Sequence, residues 1–366
     1  MNFGIQREAL LKPLQTVCGV VERRQTLPIL SHVLLKTGEG KLTMTGTDLE
    51  VEMVASTSLT DAPDSEVTLP AKKFLDICKT LPDSSKIELK VDGEKATIRA
   101  GRSRFTLATL PAEDFPNVDS VSDGIAFAVP QKDLKFLIDH TAFAMAQQDV
   151  RYYLNGLMLE VSPNQLRAVA TDGHRLAMCD VQANISINEA RQIILPRKGV
   201  MELARLLEAD ETPVEIKLGS NHISLSVGEL VFTSKLIDGR FPDYQRVLPE
   251  GCDKILVAEK ELLKQSLTRA SILSNEKYRG IRLVLGENAL KIFANNPEQE
   301  EAEEEIEVGY TETELEIGFN VNYLMDALSA VDAEKVNIAF SDSNSSCLVT
   351  ADGSNDCRYV VMPMRL

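Results

Sequence analysis

Apolar residues recur at helical spacing three times along the chain, each time in the same setting. Phe74, Ile77, Cys78 and Leu81 do so within the stretch from 69 to 81 (LPAKKFLDICKTL). Val200, Leu203, Ala204 and Leu207 do so from 195 to 207 (LPRKGVMELARLL), and Leu324, Ala327, Leu328 and Val331 from 319 to 331 (FNVNYLMDALSAV). Spacing at i, i+3, i+4 and i+7 puts one apolar stripe on a short helix. The copies start 126 and then 124 residues apart, close to a third of the chain, so the pattern is a threefold repeat.

The remaining pattern fills in each third. Helices are expected over 6–23, 71–81, 131–148, 197–207, 259–276 and 320–331, with Pro13 either in the first turn of its helix or kinking it. Strand-like runs cover 32–36, 42–45 and 49–55, where Leu49, Val51 and Met53 alternate, and later 156–161, 166–170 and 289–294. Ile87, Leu89 and Val91 lead into a hairpin at Asp92-Gly93, Val214 to Leu218 into one at 219–221, and Val336 to Phe340 into one at 341–346. Phe115-Pro116-Asn117 and Phe241-Pro242-Asp243 close the first two thirds. The expectation is an α+β chain of three similar domains, 1–120, 121–245 and 246–366, each with two helices packed on antiparallel sheets.

Composition agrees with three cores: 366 residues at 44% hydrophobic content can bury more than one. No apolar run reaches the roughly 18 residues of a membrane helix, and MNFGIQREALL lacks a basic, cleavable leader, which points to a cytoplasmic protein. The six cysteines, 18, 78, 179, 252, 347 and 357, show no CxxC or metal-like spacing and are expected to be buried free thiols. A net charge of −16 argues against nucleic acid until its distribution is considered. The six expected helices carry more Lys and Arg than Asp and Glu, so the acidic excess lies elsewhere and leaves room for one phosphate-tolerant surface.

The densest polar cluster, 171–177 (TDGHRLA), invites a catalytic reading with His174 as base and Asp172 orienting it. Asp172-Gly173 is also a turn signal, and Thr47-Asp48-Leu49-Glu50, 124 residues earlier, keeps the turn formers without the histidine. No nucleophile elbow, phosphate loop, HExxH or paired-carboxylate motif is present, so neither a cofactor nor a metal is expected. Glu298 to Glu307 holds seven glutamates in ten residues: a solvated acidic face, or an interface complementary to Lys72, Lys73, Arg102 and Arg104 whose head-to-tail contact could close a ring. The apolar end, Val360 to Leu366, suits a completing strand and also adaptable methionines at a partner groove.

Taken together, the triple repeat, TDGHRLA, RFPDYQRVLP (240–249), NNPEQEEAEE (295–304) and the terminal YVVMPMRL resemble the bacterial DNA polymerase III β subunit family of sliding clamps, of the proteobacterial type, along the whole chain. The resemblance implies a non-catalytic DNA clamp fold closed head to tail as a homodimer ring around double-stranded DNA, without cofactor or membrane. It further implies DNA contacts at Arg24 and Gln148, with Tyr152, Tyr153, Arg197 and Lys198 beside them. A partner-peptide groove would be formed by Leu154, Thr171, Gly173, His174, Arg175, Leu176, Pro242, Arg246, Val247, Asn320, Tyr323, Val360, Met362, Pro363, Met364 and Arg365. It would serve the replicative polymerase, the clamp loader, translesion polymerases and mismatch-repair proteins through short apolar-ended peptides. At the ring joint Ile272 and Leu273 would meet Phe105 and Leu107, flanked by Lys72, Lys73, Arg102 and Arg104 on one side and Glu298, Glu300, Glu301, Glu303 and Glu304 on the other.

Overall fold

The computed structural model describes all residues except 22–26, 61, 117–120, 122–123, 188 and 366. In the first third the strands are β1 (Asn2–Gln6), β2 (His32–Gly38), β3 (Lys41–Thr47), β4 (Val51–Ser58), β5 (Ser65–Pro70), β6 (Lys86–Asp92), β7 (Lys95–Ala100) and β8 (Ser103–Ala108), with helices α1 (Arg7–Val17) and α2 (Ala71–Thr80). The second holds β9 (Ile125–Pro130), α3 (Gln131–Thr141), β10 (Gly156–Ser162), β11 (Gln165–Thr171), β12 (Arg175–Gln182), β13 (Arg191–Pro196), α4 (Arg197–Leu206), β14 (Pro213–Leu218), β15 (His222–Val227) and β16 (Leu230–Lys235). The last holds β17 (Lys254–Glu259), α5 (Lys260–Ser271), β18 (Gly280–Gly286), β19 (Ala289–Asn295), β20 (Glu301–Glu307), β21 (Leu315–Asn320), α6 (Val321–Ser329), β22 (Lys335–Phe340), β23 (Cys347–Ala351) and β24 (Cys357–Val361). Each third thus carries two helices and eight strands among the described residues, the α+β repeat that the periodicity anticipates.

Contacts gather the chain into two compact units, Met1–Lys132 with Met201–Leu236, and Asp133–Val200 with Ile237–Leu366. The first holds an eight-stranded sheet, β5-β2-β3-β4-β16-β15-β14-β9, and a four-stranded one, β1-β6-β7-β8. The second repeats this with β13-β10-β11-β12-β24-β23-β22-β17 and β20-β19-β18-β21. Within each eight-stranded sheet the strands of one third join those of the next along one seam: β4 beside β16, and β12 beside β24, both antiparallel.

The apolar stripes enter the core except at Ile77 and Ala204, which stay half-buried, while Val200, Leu203 and Leu207 of the second stripe are buried. Leu10, Leu14 and Val17 of α1 are buried, as are Ala71, Phe74, Leu75 and Cys78 of α2 and Val321, Leu324, Ala327 and Leu328 of α6. Pro13 lies in the second turn of α1, past the first-turn position where a missing N–H costs nothing. The leading helix of each third is shorter than its apolar run. After α1 the amide of Cys18 donates to Leu14 O at 3.0 Å; after α3 a 3-10 turn, Ala142–Ala144, takes over; after α5 Ile272, Leu273 and Ser274 form single turns. Apolar residues beyond each helix serve the turn that packs down, which helical periodicity alone cannot distinguish from further helix.

The cysteines require a correction. Cys18, Cys78, Cys252 and Cys347 are free, but Cys179 and Cys357 form a disulfide. The two face each other across the β12–β24 seam. The Asp180 amide donates to Asp356 O at 2.8 Å, which makes the neighbouring 179/357 pair the closely spaced, non-hydrogen-bonded kind, and its Cα atoms stand 4.1 Å apart. Partners 178 residues apart in sequence leave no trace in local spacing.

Candidate functional site

The TDGHR segment is a turn built by its own side chains. Thr171 Oγ1 donates to Arg175 O (2.6 Å) and accepts from the Gly173 amide (3.1 Å). Asp172 Oδ1 accepts from the amides of His174 (2.9 Å) and Arg175 (3.1 Å), while Oδ2 accepts from Arg175 Nε (3.1 Å). The Asp172 carboxylate is therefore spent on the turn and on Arg175, with nothing directed at the His174 ring. His174 instead stacks on Tyr323, centroids 6.2 Å apart and planes 14° from parallel. Asp172 therefore does not orient His174 as a base, and the catalytic reading of this pair falls.

Arg175 fastens the turn to its surroundings. Its guanidinium lies over the rings of Tyr323 (4.7 Å) and Phe143 (5.3 Å), donates to Phe143 O (2.9 Å) and pairs with Asp326 of α6. Nearby, Arg151 forks onto both oxygens of Asp149 (3.0 and 2.9 Å), and this hydrogen bonding holds the Asp149 carboxyl down to about 2. Gly173 has φ +88°, and a Cβ there would meet the Arg151 guanidinium at 3.0 Å. Glycine thus serves both the turn conformation and a close approach.

Beside the turn lies an apolar cluster in which Ala146, Leu154, Met158, Val169, Leu176, Met178, Ile194, Phe241, Tyr244 and Val360 are buried. Tyr153, Ile237, Val247, Leu248 and Leu348 are partly buried against it. Of the expected groove residues, Leu154, Leu176 and Val360 are in the floor and Val247 is at the rim. The chain end joins them: the Met362 amide donates to His174 O (2.9 Å) and that of Met364 to Gly318 O (2.8 Å). Pro363 is half-buried, and Pro242, Arg246 and Arg365 are exposed. Asn320 caps α6 by accepting from the Asn322 amide (2.9 Å) and donates to Tyr278 O (3.2 Å). Met158, Val169, Met178, Phe241 and Tyr244 were not anticipated as part of this cluster. Their signal is the period-two alternation of β10 to β12 read together with the register, which places Met158 opposite Val169 and Val169 opposite Met178.

The expected DNA-contacting residues fall on the 148–155 loop and the start of α4, except Arg24, which lies outside the described residues. Gln148 is exposed with φ +55°, and Tyr152, 58% exposed, meets Tyr153 edge-on at 5.8 Å. Asn155 holds the loop by accepting from the Asp149 amide and donating back to Asp149 O, both 2.9 Å. Arg197, first residue of α4, gives its amide to Asn155 O (3.0 Å) and its Nη1 to Met145 O (3.2 Å); Lys198 follows it, half-buried.

The expected joint residues lie on two edge strands, β8 and β20, and on helix α2 and the turn after α5. In the first unit β8 ends its sheet with Arg104 exposed and Phe105 and Leu107 half-buried, while Arg102 precedes it and Lys72 and Lys73 are exposed on α2. In the second unit most of the glutamate run forms an edge strand, β20, with its glutamates exposed at alternate positions. Glu301 and Glu303 are exposed, Glu298 and Glu300 precede them, and Glu304 turns toward α5, where Arg269 forks onto it (2.9 and 2.6 Å). Ile272, just past α5, is 72% exposed, and Leu273 is half-buried.

The molecule thus combines repeated helix-backed antiparallel sheets with a buried apolar cluster beside a braced turn. Three consecutive family models match: the DNA polymerase III beta subunit N-terminal domain over residues 1–119, its central domain over 128–243 and its C-terminal domain over 245–365. The chain belongs to the DNA polymerase III beta subunit family, and its function is that of a DNA sliding clamp, which is non-catalytic. It is 58% identical to the Beta sliding clamp of Pseudomonas putida and 52% to that of Escherichia coli, each over the full length of both chains. It superposes on the crystal structure of the DNA polymerase III subunit beta from Pseudomonas aeruginosa with a TM-score of 0.98, at 57% identity and full coverage of both.

Proposed function

We propose that two copies of this chain close head to tail into a ring that encircles duplex DNA and tethers the replicative polymerase to it. The observation that carries the ring is a pair of open sheet edges of opposite charge. β8, bordered by Arg102 and Arg104, offers half-buried Phe105 and Leu107. β20, bordered by Glu298, Glu300, Glu301 and Glu303, lies in the same unit as exposed Ile272 and half-buried Leu273. Open edges invite strand addition, and complementary charge fixes the order of joining. Each protomer would contribute domains at 1–120, 121–245 and 246–366. Lys72 and Lys73 extend the basic side, and Glu304, though paired with Arg269, borders the acidic one.

Gln148, Tyr152, Tyr153, Arg197 and Lys198, with Arg24, would touch the phosphates loosely enough for the ring to slide without reading sequence. The apolar cluster beside 171–175 would accept apolar-ended peptides from the polymerase, the clamp loader, translesion polymerases and mismatch-repair proteins, all in the cytoplasm. An apolar anchor on a desolvated floor with a polar rim is the arrangement that concentrates binding energy.

Light scattering at low micromolar concentration should give twice the 40.4 kDa chain mass. The loaded ring should stay on circular DNA and leave once the DNA is linearised; equal retention on both forms would sink the encircling reading. Ile272→Ala with Leu273→Ala should yield monomers, since truncating buried aliphatics costs roughly 2–5 kcal/mol each.

A further inference from the structure

Next to the apolar floor, on the same face of the same strands, runs a row of charges. Glu160 of β10 stands opposite Arg167 of β11, and Arg167 opposite Asp180 of β12. Two residues along each strand are Met158, Val169 and Met178, the floor itself. Arg358 of β24, opposite Met178, reaches Asp180 Oδ2 at 2.9 Å. The row reads Glu, Arg, Asp, Arg, with side-chain exposures of 19, 16, 12 and 29%.

Arg167 spends its fork in two directions. Nε and Nη2 take both oxygens of Asp180 (2.5 and 3.0 Å), and Nη1 donates to the Tyr244 hydroxyl (2.9 Å). The guanidinium also lies 5.9 Å from the centre of that ring. Tyr244 is 4% exposed, its ring belongs to the apolar cluster, and its hydroxyl points to the Glu160 carboxylate at 3.3 and 3.4 Å. Tyr244 therefore bolts the 3-10 helix Tyr244–Val247 to the sheet, ring in the floor and hydroxyl in the charged row. That helix, with Leu248 after it, supplies Val247 at the rim of the cluster. A buried polar tip requires such a partner, and only a planar fork can satisfy a carboxylate bidentately while a third nitrogen reaches the phenol.

We propose that Arg167 is a positioning residue for partner-peptide binding, setting the wall Val247–Leu248 through the Tyr244 hydroxyl without touching the peptide. This rests on the reading of the apolar cluster as the peptide site. Lysine at 167 keeps the charge but cannot hold Asp180 with a fork and Tyr244 with a further nitrogen. Phenylalanine at 244 keeps the floor and removes the tether. The two changes break one link, so their effects overlap instead of adding.

The test uses the full-length dimer and a fluorescein-labelled peptide ending in Gln-Leu-Ser-Leu-Phe, read by anisotropy. Arg167→Lys and Tyr244→Phe should each raise Kd about tenfold and the double variant also about tenfold, the coupling expected of residues in one hydrogen-bond network. The dimer mass by light scattering should stay unchanged, a readout that general damage to the fold would move. Unaltered Kd in Arg167→Lys, or losses that multiply to about a hundredfold, the behaviour of independent sites, would overturn the positioning role alone. No binding by the wild-type protein would overturn the peptide-site reading and this inference with it.

Discussion

Thr47 to Val51 and Thr171 to Arg175 fold into the same turn, yet the strands that leave them carry different side chains. Thr47 Oγ1 donates to Val51 O (2.9 Å) and accepts from the Leu49 amide (3.1 Å), while Asp48 Oδ1 accepts from the amides of Glu50 (2.9 Å) and Val51 (2.7 Å). Bond for bond this repeats Thr171 and Asp172. The difference lies in the strand that leaves each turn and in its partner across the seam. On one face of the first seam the pairs are Glu52 with Thr233 and Val54 with Val231. At the equivalent places of the second seam they are Leu176 with Val360 and Met178 with Arg358. Large apolar residues there gather Phe241, Tyr244 and Val247 into a cluster. The repeat thus supplies one turn twice, and the strands that leave it carry different side chains.

The largest effects should come from emptying each seam. Phe232, fully buried opposite Met53, and Met178, 1% exposed, are each destabilising to truncate, Phe232→Ala by about 3–5 kcal/mol and Met178→Ala by about 2–5 kcal/mol. Denaturant unfolding should register both. Only Met178→Ala should also weaken peptide binding; an equal loss in Phe232→Ala would erase the distinction between the seams.

The second seam alone carries a disulfide, and Cys357→Ser should lower stability by about 2–4 kcal/mol, because the bridge closes a long loop. Denatured protein should titrate four thiols before reduction and six after it. In the native state at pH 8, Cys18, Cys78 and Cys347 should react slowly, since burial pushes each thiol up to about 12. Six thiols without reduction would leave the two seams alike in this respect.

Local patterns carried much of this architecture. The second helix of each third, the hairpins at Asp92-Gly93 and 219–221 and the turn nature of Asp172-Gly173 all follow from spacing and turn chemistry. Pairing between thirds was not legible, because β4 meets β16 and β12 meets β24 across some 180 residues and no residue announces its distant neighbour. β20 was hidden by composition: Ala302, Glu304 and Ile306 turn inward on alternate positions, but glutamates mask the period. Of the proposed peptide site, the terminal strand and the turn were visible as motifs, whereas Tyr244 and the charged row need the register of three strands before they converge.

Exchanging the central residues of the two turns tests whether they are one structure with two uses. Leu49 has φ +78° and Gly173 φ +88°, so both turns demand the left-handed region. A side chain there costs about 1–3 kcal/mol, and Gly173→Leu should lose that much. Its Cβ would also push against the Arg151 fork, so the Asp149 carboxyl should rise from about 2 toward its ordinary value. A depressed carboxyl contributes stability above its unfolded pKa and loses it as pH falls through the folded one, so Gly173→Leu should show a shallower loss between about pH 4 and 2. Leu49→Gly removes strain from a side chain 37% exposed, but it also adds freedom to the unfolded chain, leaving a gain of about 0.5–1 kcal/mol. That is the smallest of these effects and the most diagnostic in sign. If Leu49→Gly destabilises by as much as Gly173→Leu, the leucine makes contacts that the glycine turn lacks, and the two turns share hydrogen bonds without sharing a conformational requirement.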